Sequence, residues 1–158
     1  MPHVLVVDDD PVLADLVAFR LGRMGLEVSV ELDGEAGLAA ARRLRPDLVV
    51  LDWVMPRMTG PEVCRALRGD GDAELARTPV LLLTAKAQEA DLEHGFAAGA
   101  TDFVGKPFST RELVDRVTAA LPPGSRARRS RDVRHRRRRA RDAGGGAPQW
   151  CRPPAVAA

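Results

Sequence analysis

Four short apolar runs in this chain stop on residues that could handle a phosphoryl group. Val4-Leu5-Val6-Val7 ends at Asp8-Asp9, Leu48-Val49-Val50-Leu51 at Asp52, Val80-Leu81-Leu82-Leu83 at Thr84, and Phe103-Val104 leads to Lys106. Clustered carboxylates repel one another unless a hard divalent cation neutralises them, and Mg²⁺ prefers a few carboxylates plus water and phosphate oxygens. A phosphoryl group arriving at Asp52 would be clamped by that metal, by Lys106 as a point charge and by the Thr84 hydroxyl. The set reads as phosphoryl transfer to an aspartate. Taken singly, each residue has a plainer role: Thr84 ends a strand, Lys106-Pro107 makes a surface turn, and Asp10 caps a helix. Their recurrence at four strand ends carries the chemical reading.

The elements that must position these residues follow from the pattern around them. The runs at residues 3–7, 48–51 and 79–84 are continuous and apolar, as in parallel strands buried on both faces. Glu27 to Leu32 alternates like a half-exposed edge strand, and residues 101–104 give a fifth strand. Between them lie five helical segments. Asp10-Pro11 opens one whose apolar face comprises Val12, Leu13, Leu16, Val17, Phe19, Leu21 and Met24. The others span residues 35–44, 62–68, 88–98 and 109–121, the last opened by the capping box Ser109-Thr110-Arg111-Glu112. Alternating strands and helices imply a parallel sheet covered on both faces by right-handed crossovers, the doubly wound α/β class, with ligands at the carboxyl edge of the strands.

The 158 residues suffice for one domain with an appendage. Residues 1–121 hold 13 Lys+Arg against 20 Asp+Glu, whereas residues 122–158 hold 11 Arg against 2 Asp, so the two parts are read separately. Cys64 and Cys151 form neither a disulfide framework nor a metal motif, and Cys64 reads as a small buried hydrophobe. No apolar run approaches the ~20 residues of a membrane span and no basic leader precedes the first strand, so the expected location is the cytoplasm.

Val6-Val7-Asp8-Asp9-Asp10-Pro11, Leu51-Asp52-Trp53-Val54-Met55-Pro56 with Gly60, Leu83-Thr84-Ala85, and Gly99-Ala100-Thr101-Asp102-Phe103 leading to Lys106-Pro107-Phe108 together resemble the receiver domain of two-component response regulators. The resemblance covers residues 3–121. It implies a flavodoxin-like five-stranded sheet of order 2-1-3-4-5, with Asp52 phosphorylated by a sensor histidine kinase, a phosphotransfer protein or a small phosphodonor. It further implies Mg²⁺ held by Asp8, Asp9, Asp52 and the Val54 carbonyl, Lys106 on the phosphoryl oxygens before a usually cis bond to Pro107, and a switch through Thr84 and Phe103. The output face would be residues 88–121, which also offer a homodimer surface. The family signals, and its only catalysis is its own phosphotransfer and aspartyl-phosphate hydrolysis. Phe103 lacks the hydroxyl of many relatives, which makes the switch steric. Leu92 stands where an arginine often pairs with the acid matching Glu112, leaving Asp102 and Arg116 as the available pair.

Trp53 reads as a cover over the metal site, a partner contact or an exposed aromatic without a role, and His94 as a solvated helix residue. The alternative function is an unphosphorylated docking scaffold, against which the complete set of Asp8, Asp9, Asp52, Thr84 and Lys106 argues. The tail, residues 122–158, lacks the apolar residues for a core and is expected to be disordered. Its eleven arginines without a lysine also resemble an out-of-frame reading of a GC-rich gene. A weaker third reading is a basic arm on nucleic acid phosphates.

Overall fold

The computed structural model describes residues 1–85 and 89–122, with the backbone alone at 89–92. Expectations for the 123–158 tail and the Leu92 side chain lie outside the described residues. Five strands, β1 (His3–Val7), β2 (Glu27–Glu31), β3 (Leu48–Asp52), β4 (Val80–Thr84) and β5 (Asp102–Gly105), form one parallel sheet in the order β2-β1-β3-β4-β5. The three central strands are buried along their whole length and the two edge strands are not, which is why only the central runs are continuously apolar.

Among the described residues, six helices cover the sheet: α1 (Pro11–Arg23), α2 (Gly34–Leu44), α3 (Gly60–Arg68), α4 (Ala73–Ala76), α5 (Glu89–Ala97) and α6 (Thr110–Ala120). Alternate strand residues feed two cores. Leu5, Val7, Val49, Leu51, Val80 and Leu82 pack with Leu38, Val63 and Leu67 of α2 and α3. Val4, Val6, Leu48, Val50, Leu81 and Leu83 pack with Val17, Leu21, Leu113 and Val117 of α1 and α6. No helix among the described residues is long and apolar enough to cross a membrane.

Local signals explain most boundaries. Asp10 caps α1 by accepting from the N–H groups of Val12 and Leu13, and Ser109 caps α6 by accepting from Glu112 N–H. The helix expected at 62–68 starts earlier because Thr59 and Glu62 form a reciprocal capping box around Pro61. The expected five helices become six: Asp72 accepts from Glu74 and Leu75 N–H and caps the single turn α4, whose one buried side chain, Leu75, is too little to show as periodicity. The expected apolar face of α1 also divides. Ala14, Val17 and Leu21 are buried, whereas Val12, Leu16, Phe19 and Met24 face outward, with Val12 77% and Phe19 59% exposed. Cys64 is fully buried, as expected.

Two glycines bracket what the backbone tolerates. At Gly60 a Cβ would lie 2.4 Å from the carbonyl oxygen of Asp52, so the start of α3 is pressed against the end of β3, and Gly60 N–H donates to Trp53 O at 2.9 Å. Gly22, within α1, has nothing within 4 Å of that position. Urea denaturation is therefore expected to show Gly22→Ala more stable by about 0.5–1 kcal/mol, from helix propensity alone. Gly60→Ala is expected to be less stable by about 1–3 kcal/mol through overpacking against rigid backbone.

Candidate functional site

At the carboxyl edge of the sheet, β1 delivers Asp8 and Asp9, and the adjacent β3 delivers Asp52. Asp8 is 1% exposed and Asp52 8% exposed, while Asp9 faces solvent. One carboxylate oxygen from each lies within 4.8 Å of the others. Three hard oxygen donors at this spacing, two of them withdrawn from water, suit an octahedral cation such as Mg²⁺ that keeps some of its own water. Asp8 also anchors the chain after β1 by accepting from Asp10 N–H at 2.9 Å.

Lys106 reaches the same place from the end of β5. Its Nζ donates to Asp52 Oδ1 at 2.9 Å and to Asp8 Oδ2 at 3.4 Å. Its backbone N–H donates to Thr84 O, and the Lys106–Pro107 peptide bond is cis, as the family resemblance implies. Thr84 is buried at the end of β4, the strand between β3 and β5. Trp53 N–H donates to Leu83 O and to Asp52 Oδ1, both at 2.9 Å. Val54, one residue further, is 73% exposed at the rim.

Electrostatics follow from this crowding. Burial raises the Asp52 carboxyl, the Lys106 hydrogen bond and charge draw it down, and Asp8 pushes it up again, for a net value of about 6. For Lys106, burial alone lowers the pKa, but the hydrogen bonds and charges of Asp52 and Asp8 outweigh it and the net direction is upward. Two buried carboxyl groups thus share the Lys106 ammonium.

The sequence-predicted residues Asp8, Asp9, Asp52 and Lys106 are therefore brought into one cluster, with Thr84 and Val54 beside it. Phe103 is half-buried further along the same edge, its ring centroid 6.3 Å from Trp53 and 4.5 Å, edge-on, from Phe96. Trp53 is neither a free aromatic nor fully buried: it packs on the core and meets His94, which is exposed, at 6.1 Å. The Asp102–Arg116 pair is present at 2.9 Å. Sequence reading missed Gly95 and Phe96 of α5, although a glycine inside a helix is itself a signal that something packs there closely.

The family model described as response regulator receiver domain matches residues 4–118. The DNA-binding response regulator MtrA of Mycolicibacterium smegmatis is 46% identical over 119 residues, 75% of this chain and 50% of that protein. The chain thus spans about half the length of the curated relatives it matches. Among solved structures, the chemotaxis response regulator CheY4 of Vibrio cholerae superposes with a TM-score of 0.72 at 35% identity, over 77% of this chain and 99% of that one. The receiver domain of sensor histidine kinase PA1611 from Pseudomonas aeruginosa, with a magnesium ion coordinated in its active site cleft, gives 0.69 at 29% identity over 75% of this chain and 96% of that one.

The raised Asp52 pKa carries a stability prediction for protein kept in chelator. A carboxyl raised from 3.8 to about 6 stabilises the fold below the unfolded value, and that contribution is lost as pH rises through about 6. Between pH 4 and pH 7 the stability of Asp52→Asn relative to the parent should rise by on the order of 2 kcal/mol. Denaturant titrations at several pH values check it, and a pH-independent difference would contradict it.

Proposed function

The chain belongs to the response regulator receiver family, and on that premise we propose that Asp52 accepts a phosphoryl group, in a Mg²⁺-dependent step, from a sensor histidine kinase or phosphotransfer protein. The observation that carries this reading is the single ammonium of Lys106 placed 2.9 Å from Asp52 and 3.4 Å from Asp8, at the mouth of a carboxylate cluster. Asp8, Asp9, Asp52 and the Val54 carbonyl would hold Mg²⁺, which when bound supplies the positive charge that lets an anionic phosphoryl group approach a carboxylate.

The chain's own residues do the rest. A carboxylate oxygen of Asp52 forms the new bond to phosphorus while the bond to the donor's imidazole nitrogen breaks, and the imidazole departs with the electron pair. A pKa of about 6 leaves Asp52 mostly ionised at neutral pH and so able to attack. Lys106 then exchanges its carboxylate contact for the phosphoryl oxygens, the Thr84 hydroxyl follows, and Phe103 moves with it. The acyl phosphate biases this two-state element until water hydrolyses it.

A donor must cover the mouth of the site. The groove beside it is lined by Leu13, Leu16, Val17 and Phe108 and has Lys106 on its wall, while Val12 and Phe19 extend the apolar surface along α1. This explains why part of the α1 apolar pattern faces outward: it is the natural landing face for a partner helix. Relatives named as a DNA-binding response regulator and a DNA-binding transcriptional regulator support control of transcription as the class of output.

Intact-protein mass spectrometry after incubation with acetyl phosphate and Mg²⁺ tests the assignment. One phosphoryl group is expected on the parent, none on Asp52→Asn, and none on the parent in chelator. Equal labelling of Asp52→Asn would refute the acceptor. Absence of labelling from acetyl phosphate and from phosphorylated kinases alike would favour the docking scaffold.

A further inference from the structure

Gly95 sits inside α5, where glycine is the poorest helix former after proline, and no left-handed backbone angle requires it there. Its surroundings supply a reason. A Cβ at this position would stand 2.5 Å from both Cε1 and Cζ of Phe103 and 3.0 Å from Cζ3 of Trp53. The Phe103 ring therefore occupies the space that a side chain at position 95 would take, with Phe96 edge-on against it and 53% exposed at the surface. Trp53 follows Asp52 in sequence and donates its backbone N–H to that carboxylate at 2.9 Å. The Phe103 ring thus touches both the residue that follows Asp52 and an exposed aromatic of α5.

We propose that Gly95 is a positioning residue for the switch: the hole left by its missing side chain is the inward seat of Phe103, and filling that hole drives the ring outward. The inference rests on the reading of Phe103 as the switch aromatic and adds what holds the ring in place. A phenylalanine has no hydroxyl with which to anchor itself, so the seat is purely steric, a matter of shape between Gly95, Trp53 and the ring edge. The atoms in the way are the far end of a rotatable side chain, so a methyl group displaces the ring without needing to displace the strand.

The test is a double-mutant cycle of Gly95→Ala and Phe103→Leu in a Trp150→Phe background, which leaves Trp53 as the sole tryptophan. In the parent background Gly95→Ala should lower the melting temperature, increase acrylamide quenching of Trp53, and slow labelling by acetyl phosphate severalfold. In the Phe103→Leu background, where the ring edge is gone and the one close contact left is Trp53 Cζ3 at 3.0 Å, the loss of melting temperature, the gain in quenching and the slowing of labelling should each shrink severalfold. Equal effects in both backgrounds would overturn the seat, because Gly95 would then be acting on the helix and not on the ring. If the cycle behaves as expected for melting and quenching while the labelling rate does not move, the seat exists but its role in the switch is refuted. If no variant, parent included, can be labelled, the failure belongs to the acceptor reading, and melting and quenching still decide the seat.

Discussion

Among the described residues, two buried carboxylates, Asp8 and Asp52, lie against a single ammonium, and the rest of the site is arranged around that imbalance. A carboxylate pair withdrawn from water is unfavourable by several kcal/mol when unmatched, and one lysine shared between two partners at 2.9 and 3.4 Å offsets only part of it. Negative charge left unmatched here would favour a hard cation, and under the proposed function that cation would let the edge receive an anion.

The sheet order makes the imbalance possible. Because β1 and β3 are neighbours, Asp8 and Asp52 emerge side by side, whereas Lys106 comes from β5, two strands and roughly 10 Å away. Its long stem crosses the end of β4, where the strand finishes in the short side chain of Thr84. Gly60 lets the start of α3 press against the Asp52 carbonyl at the end of β3. Both cores, one on each face of the sheet, converge on holding these strand ends in register.

Much of this was legible in the sequence, for a physical reason. Parallel strands buried on both faces announce themselves as continuous apolar runs, so their ends, and hence Asp8, Asp52 and Thr84, can be located from the order of residues alone. Helix caps at Asp10 and Ser109 are legible because the capping side chain is local to what it caps. What periodicity could not show is which apolar side chains are covered: Val12, Leu16 and Phe19 fit a helical face, yet their side of α1 meets solvent. The seat of Phe103 was equally hidden, since it is made by an absence, the missing side chain of Gly95, opposite residues far away in sequence. A single-turn helix such as α4 carries too few residues for any pattern.

If charge imbalance at the sheet edge creates a cation site, calorimetric titration with Mg²⁺ will detect it. One site is expected in the parent, with binding that weakens as pH falls through about 6 because the Asp52 carboxyl must lose its proton, and much weaker binding in Asp52→Asn. Equal affinity in the parent and Asp52→Asn, or affinity indifferent to pH across that range, would contradict it.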